Sequence, residues 1–158
     1  LKSHNTPSVI ALSRQKVPYI NPKNSEKNKS ENGAYTISIT SHESNVTLIA
    51  SGTEVELALK VQEKLKDNNI HSKVVSMPCM SLFDKQSDEY KKDIIDEDAL
   101  VITLEAGSVT HWQKYIKNKG LNLGLDQFGE SGPYKEVYDH FNLTEEKITN
   151  IIQDKLRE

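Results

Sequence analysis

The alternation of apolar and polar positions predicts a strand, a helix and a second strand between Val46 and Val75. Residues 46–50 are almost wholly apolar and rich in β-branched side chains, which is typical of a strand buried on both faces. From residue 54 to residue 65 the apolar positions follow the helical period, and charged residues fill the opposite face. Residues 70–75 then predict another strand. This order indicates a βαβ unit, in which a right-handed crossover joins two parallel strands.

Local signals predict how the helix of this unit begins. Gly52 can adopt a positive φ in the turn that precedes it. Thr53 and Glu56 stand at the spacing of a capping box, in which each side chain binds the other residue's backbone N–H. Glu54 and Glu56 are both assigned to the solvent face, and Glu56 should pair with Lys60 one turn later. We therefore expect a capped amphipathic helix directly after the buried strand.

The rest of the chain continues the alternation of strands and helices. Residues 34–39 predict a half-exposed strand, and the short polar connection that follows predicts an antiparallel hairpin with residues 46–50. The further expected elements are a helix at about 84–95, a strand at 99–104, a helix at about 110–118, a strand at 121–125, a helix from Pro133 to about Phe141 and a last helix capped by Thr144. The pattern predicts a three-layer α/β fold, with helices on both faces of a five-stranded, mostly parallel sheet that has one antiparallel edge strand.

The first part of the chain follows a different pattern. Residues 8–12 predict a short strand whose partner strands are missing. Pro18, Pro22 and a tract of Lys, Asn, Ser and Glu follow, and such a composition buries too little apolar surface to offset its ordering entropy. We therefore expect residues 1–15 to be a remnant of a preceding domain, residues 16–33 a linker and residues 34–158 the α/β domain.

Composition and charge argue against several functional classes. A net charge of −3 and a pI near 6.0, with lysines dispersed among acids, argue against a nucleic-acid-binding surface. No apolar run is long enough to span a bilayer, so neither membrane nor nucleic acid is an expected partner. The single cysteine, Cys79, cannot form an internal disulfide, which favours a cytoplasmic location. The five histidines show no metal-ligand spacing, and no metal site is expected.

In open α/β sheets ligands bind beyond the carboxyl ends of the strands, so the turns expected there are the first candidates for chemistry. Ser51–Glu54 offers backbone N–H groups to an anion but lacks a Walker or complete G-x-G-x-x-G pattern, so a phosphate site and a capped turn both remain open. Glu105 and His111 could form an acid/base pair, or a turn carboxylate beside a helix-start histidine. Ser131 lacks the spacing of a nucleophile elbow, and Cys79 is expected to be a packed thiol without an adjacent base.

Arg14 is the strongest candidate for binding a substrate. The chain contains only one other arginine, Arg157, near its C-terminus. Arg14 directly follows the predicted strand end, between Ser13 and Gln15. The planar guanidinium can bind a phosphate through two hydrogen bonds, which lysine cannot reproduce. Phosphate binding and a surface or interface role are both compatible with this position.

Six short segments, taken in chain order, carry a resemblance to a known enzyme family. Ala11–Gln15 resembles the end of the middle, pyrimidine-binding domain of transketolase. The segments that resemble its third, C-terminal domain are Ile49–Ala58, Val74–Pro78, Phe83–Gln86, Glu105–Gly107 and Phe128–Ser131. Related thiamine-diphosphate enzymes share this fold, but the first and last of the six segments favour transketolase.

The resemblance implies what the parent protein does. It implies a homodimeric transferase of the pentose phosphate pathway that moves a two-carbon ketol unit between sugar phosphates with thiamine diphosphate and Mg²⁺. It also implies that the arginine of the first segment binds the sugar-phosphate end of the substrate, a role that falls on Arg14. In the family the cofactor lies between the first two domains of opposing subunits, with which the third domain packs.

The resemblance also implies what this chain lacks. It contains no Gly-Asp-Gly cofactor motif, so we expect no catalytic, cofactor-binding or metal-binding residue here. The fragment is expected to be inactive and structural, supporting domain packing and the dimer. Two alternatives remain open: a stand-alone regulatory module that binds an anion or nucleotide, and the C-terminal domain of a related thiamine-diphosphate enzyme.

Overall fold

The computed structural model describes residues 5–13, 15–20, 29–116 and 120–158. The strands are β1 (Tyr35–Ile39), β2 (Val46–Ala50), β3 (Ser72–Ser76), β4 (Leu100–Ser108) and β5 (Leu121–Leu125). The α-helices are α1 (Glu54–Asp67), α2 (Met80–Phe83), α3 (Asp88–Ile94), α4 (Tyr134–His140) and α5 (Glu145–Arg157). Two 3₁₀ helices span Lys29–Asn32 and Thr110–Tyr115. No helix in these described ranges is long and apolar enough to cross a membrane.

The five strands form one mixed sheet in the order β1-β3-β2-β4-β5. The pairs β2–β3, β2–β4 and β4–β5 are parallel, and β1 pairs with β3 in the antiparallel direction at one edge. The predicted fold class, a mostly parallel sheet with one antiparallel edge strand, is confirmed. All residues of β2 and β3 are buried, as expected for central strands covered on both faces.

The predicted hairpin between β1 and β2 is wrong, because β3 lies between them. The connection at residues 40–45 passes the end of β3: Thr40 Oγ1 accepts a hydrogen bond from Ser72 N at 2.8 Å, and Asn45 N donates to His71 O at 2.9 Å. Passing one strand requires about 10 Å, and six extended residues reach about 20 Å. A short connection therefore does not force its two strands to pair.

Two apolar clusters, one on each face of the sheet, form the core. One joins α1 and α5 to the sheet through residues that include Leu48, Val61 and Ile152, each of which is fully buried. The other packs α2, α3 and the second 3₁₀ helix on the opposite face, with Phe83 and Trp112 as its largest side chains. The predicted three-layer arrangement is therefore present.

The first turn of α1 differs from the prediction in one important way. Gly52 has φ 54° and Glu56 pairs with Lys60 at 2.8 Å, both as expected. The capping box does not form, because Thr53 adopts helical backbone angles and makes no side-chain cap. Glu54 does not lie on the solvent face: its exposure is only 5%. Glu54, which the helical pattern places on the solvent face, is therefore buried.

Elsewhere the predicted elements differ mainly in their bounds. The helix expected at 84–95 is divided into α2 and α3, and Ser87 caps α3 by accepting a hydrogen bond from Tyr90 N. The helix expected at 110–118 is a 3₁₀ helix that ends at Tyr115, and β4 continues through Glu105–Gly107, which had been predicted as a turn. Thr144 caps α5 as predicted, accepting from Lys147 N.

The predicted strand at residues 8–12 is not formed. Within the described part of the chain these residues pair with no strand, and they are exposed, with Val9 at 95% and Leu12 at 86% accessibility. The prediction fails because a β-branched run forms a strand only when a partner edge supplies its backbone hydrogen bonds.

Candidate functional site

The predicted substrate-binding residue, Arg14, lies outside the described residues. Its neighbours Ser13 and Gln15 are exposed. The role of Arg14 therefore stays a prediction, and the site that can be described lies on the α/β domain.

Two glutamates meet at the carboxyl edge of the sheet. Glu54 begins α1 four residues after Ala50, the last residue of β2. Glu105 follows Leu104, the residue of β4 that is paired with Ala50. The strand register therefore brings the two glutamates to the same edge, where they interact electrostatically. This edge is where ligands of open α/β sheets bind.

Glu54 is a buried carboxylate with two hydroxyl donors. Its Oε1 accepts hydrogen bonds from Tyr138 Oη and from Thr53 Oγ1, both at 2.6 Å. Tyr138 belongs to α4, so this contact fastens α4 to the start of α1. Burial, followed by the hydrogen bond to Glu54, raises the pKa of Tyr138 to about 12. The phenol of Tyr138 therefore stays protonated well above physiological pH and can donate to the buried carboxyl group.

Glu105, like Glu54, accepts a side-chain hydrogen bond from a residue of another element. Its Oε2 accepts a hydrogen bond from Trp112 Nε1 at 3.1 Å, and Trp112 is 1% exposed. Burial raises the pKa of Glu105; the Trp112 hydrogen bond opposes this shift, and the charge of Glu54 adds to it. The contact ties the second 3₁₀ helix to β4.

Glu105 and His111, the suggested acid/base pair, lie close together but form no hydrogen bond with each other. His111 Nε2 lies 3.9 Å from Glu105 Oε2, which is longer than a hydrogen bond, and Trp112 already donates to that oxygen. Glu105 is also a strand residue, not a turn carboxylate. This geometry favours a structural attachment over proton transfer.

The alternative of an anion site at Ser51–Glu54 gains no support from the structure. The acidic residues Glu54 and Glu56 occupy the first turn of α1, where the partial positive charge of a helix start would otherwise attract an anion. Glu105 adds a second carboxylate to the same edge. Two fixed carboxylates oppose the approach of a phosphate, so a capped turn is the better description.

The remaining candidates, Cys79 after β3 and Ser131 after β5, make no hydrogen bond or ion pair with Glu54 or Glu105 among the contacts of the described residues. Cys79 is partly exposed, not packed as predicted, and its hydrogen bond with Ser81 lowers the pKa of the thiol. Ser131 is exposed in the loop before α4. Across the described ranges, no group of three or more His, Cys, Asp or Glu side chains is placed to hold a metal ion.

An open groove of about 1040 Å³ lies near the amino ends of β2 and β4. Asp84 lies on its wall, where Asp84 Oδ1 accepts from Tyr115 Oη at 2.8 Å and Oδ2 pairs with Lys114. Because these polar groups satisfy one another, they do not form a convergent set of free donors or acceptors for a ligand.

Comparison with known proteins assigns the family. A family profile described as the transketolase-like TK C-terminal domain matches residues 33–144. The chain belongs to the transketolase-like C-terminal domain family. The match covers the whole sheet, α4 and the two carboxylates of the carboxyl edge.

Individual relatives of this transketolase-like domain are much longer than the chain. It is 36% identical to a transketolase of Aquifex aeolicus over 157 residues, which cover 98% of this chain and 23% of the relative. It is 38% identical to a chloroplastic transketolase of Solanum tuberosum over 90% of this chain and 19% of the relative. A crystal structure of a transketolase mutant from Pichia stipitis matches with a TM-score of 0.82 and 30% identity, over 91% of this chain and 20% of that one. The chain thus spans about a quarter of the length of these three relatives or less.

The hydrogen bonds that organise the carboxyl edge of this domain were missed at the sequence level. Tyr138 lies 84 residues from Glu54, and no periodicity connects them. One signal was available for the other pair: Trp112 is the only tryptophan, its indole N–H needs an acceptor when buried, and Glu105 is a nearby acid.

Proposed function

We propose that the chain is the C-terminal part of a transketolase, a thiamine-diphosphate-dependent transferase that moves a two-carbon ketol unit between sugar phosphates of the pentose phosphate pathway. The observation that carries this proposal is the family match at residues 33–144, together with alignment to a transketolase over 98% of the chain. In this proposal residues 1–15 belong to the preceding domain, residues 16–33 link the domains, and residues 34–158 form the C-terminal domain.

The domain itself has a structural role in this proposal. Thiamine diphosphate and Mg²⁺ do not fit the described residues: these contain no group of three or more His, Cys, Asp or Glu side chains placed to hold a metal, and Glu54 and Glu105 already accept hydrogen bonds from the partly buried Tyr138 and the buried Trp112. The cofactor would be held by the larger part of the parent protein, which supplies the chemistry of ketol transfer.

The surfaces that would pack against that larger part are apolar and exposed. Tyr19 is 90% accessible, and Phe128, in the loop before α4, is 97% accessible. In this proposal the exposed aromatic groups of the linker and of the domain contact the other domains of the parent protein or the second subunit of a homodimer. A cytoplasmic location is part of the proposal, supported by the single, unpaired cysteine.

The direct test is to assay the parent protein. With thiamine diphosphate, Mg²⁺, a ketose phosphate donor and an aldose phosphate acceptor, we expect ketol transfer. The chain of residues 1–158, added alone to the same mixture, should transfer nothing. A parent protein without transfer activity would overturn the proposed function.

Arg14 provides a second test within the parent protein. Its proposed role is to bind the phosphate of the substrate, so Arg14→Ala should mainly raise KM for phosphorylated substrates. The rise should correspond to a loss of about 1.5–3 kcal/mol in binding free energy, as for a lost charged hydrogen bond. Arg157→Ala is the matched control, since Arg157 pairs with Asp154 at the exposed end of α5. Equal losses with unphosphorylated substrates would contradict the role of Arg14.

A further inference from the structure

The segment from Asp126 to Phe141, here called the α4 arm, is attached to the domain by few buried groups. Every residue from 126 to 136 is exposed, and α4 has no buried residue. By contrast, α1 and α5 each bury several side chains in the core. The arm therefore gains little stabilisation from apolar burial, which is the usual property of a segment that opens locally.

The end of the arm is fixed to the domain by a different set of contacts. Leu143 is 3% exposed, and its backbone N–H donates to Tyr138 O at 2.8 Å. Asn142 adopts φ 60° at this point, and Lys147 Nζ donates to Asp139 O at 2.6 Å. The chain is thus anchored where the arm joins α5, so we expect opening to unfold α4 between β5 and this anchor.

Besides the exposed ion pair between Lys147 Nζ and Asp139 Oδ1 at 2.9 Å, a buried polar contact holds the middle of the arm against the sheet edge. Tyr138 Oη donates to Glu54 Oε1 at 2.6 Å, and the rings of Tyr138 and Phe141 are partly buried against the core cluster of α1 and α5. Glu54 is 5% exposed in this closed position. Moving the arm away would return a buried carboxylate to water, which offsets part of the cost of opening.

We propose that the α4 arm is a separately opening unit, held closed by the hydrogen bond from Tyr138 to the buried carboxylate of Glu54. Opening would uncover Glu54 and Thr53 at the carboxyl edge while the sheet remains folded. The arm thus covers this edge when it is closed, and the exposed Phe128 and Tyr134 move with it when it opens.

Amide hydrogen exchange of the full 158-residue chain, followed residue by residue, tests the proposal. The reporters are the hydrogen-bonded amides of Val137, Phe141 and Leu143 in and beside the arm, compared with the amides of β2 and β4. In the unchanged chain the arm amides should exchange faster than the sheet amides and respond together to low denaturant.

Tyr138→Phe removes the hydroxyl and keeps the ring. It should speed exchange of the arm amides roughly ten- to a hundred-fold, as expected for a lost hydrogen bond to a charged group, and leave the sheet amides unchanged. Tyr134→Phe is the matched control: its ring contacts that of Tyr138 with centroids 6.1 Å apart, but its side chain is largely exposed, so exchange should not change.

Three results would overturn the proposal. If Tyr138→Phe speeds exchange equally in the arm and in β2, the arm does not open separately. If the arm amides of that variant exchange at the original rate, the hydrogen bond to Glu54 does not hold the arm. If the variant does not fold, the unchanged chain still provides a test. The same opening free energy for its arm amides and its sheet amides would contradict the proposal.

Discussion

Glu105 lies partly buried in β4, with Trp112 as its hydrogen-bond donor and His111 as its nearest base. A carboxylate in such a position suggests catalysis when only the sequence is considered. In the structure its oxygen is occupied by the indole N–H, and burial is the main cause of its raised pKa. Burial and a hydrogen-bond donor can tune the acid of an active site, but at Glu105 they belong to a structural contact.

The unfolding free energy of the Glu105→Gln variant, compared with that of the original protein at the same pH, should increase as pH rises. The folded-state pKa of Glu105 is raised above its ordinary value of 4.5, so its contribution to stability is complete below pH 4.5 and is lost as pH rises through the folded pKa. Gln keeps an acceptor for Trp112 and does not ionise. Denaturant unfolding across this range should show the free-energy difference between variant and original increasing with pH, and a constant difference would contradict the assignment.

Two tyrosines should ionise late. Burial raises the pKa of Tyr115 and of Tyr138 to about 12, with hydrogen bonds to Asp84 and Glu54 as the next causes. Because both pKa values lie above the ordinary 10.0, these residues stabilise the fold below pH 10 and lose that contribution as pH rises towards 12. Ultraviolet titration should show two late phenolates, and Tyr138→Phe should remove one. A variant that retains both late steps would refute the assignment for Tyr138.

At the scale of elements, two glycines with positive φ serve different purposes. Gly52, with φ 54°, lies in the turn between β2 and α1, and a Cβ there would meet nothing within 4 Å. Gly33, with φ 83°, lies directly beneath α2, and a Cβ there would lie 2.2 Å from Phe83 N and 2.4 Å from Cys79 O. The second glycine therefore permits close packing between α2 and the start of β1.

Alanine at these two positions should separate backbone strain from steric overlap. Gly52→Ala should cost about 1–2 kcal/mol of unfolding free energy, because only the left-handed backbone conformation is disfavoured. Gly33→Ala adds a clash with backbone atoms that cannot move aside, so it should cost roughly 3 kcal/mol or more. Chemical denaturation measures both values. Similar costs at the two sites would mean that α2 does not pack on Gly33 as described.

At the scale of the whole molecule, local patterns predicted the fold class but not the arrangement of its strands. The period of α1, the buried run of β2 and the Thr144 cap are properties of neighbouring residues, and they were predictable. The partner of β1 was not, because it depends on where β3 is placed by the crossover through α1. The strand predicted at residues 8–12 is not formed for a related reason, since the described residues offer it no strand edge to pair with.

The candidate site was less predictable than the fold. Glu54 was assigned to solvent from its place on the helical wheel, yet α4 covers it and Tyr138 donates to it. That contact joins residues far apart in the sequence, so no local pattern could reveal it. Arg14 rests on a different kind of argument, from the chemistry of its side chain and the resemblance of its segment, and it remains a prediction.

We propose that this domain supports a transketolase without binding the cofactor itself. Titration calorimetry with thiamine diphosphate in the presence of Mg²⁺ tests this most directly, applied in parallel to the 158-residue chain and to the parent protein. We expect saturable binding by the parent protein and no heat of binding from the chain alone. Saturable, Mg²⁺-dependent binding of thiamine diphosphate by residues 1–158 would contradict the account.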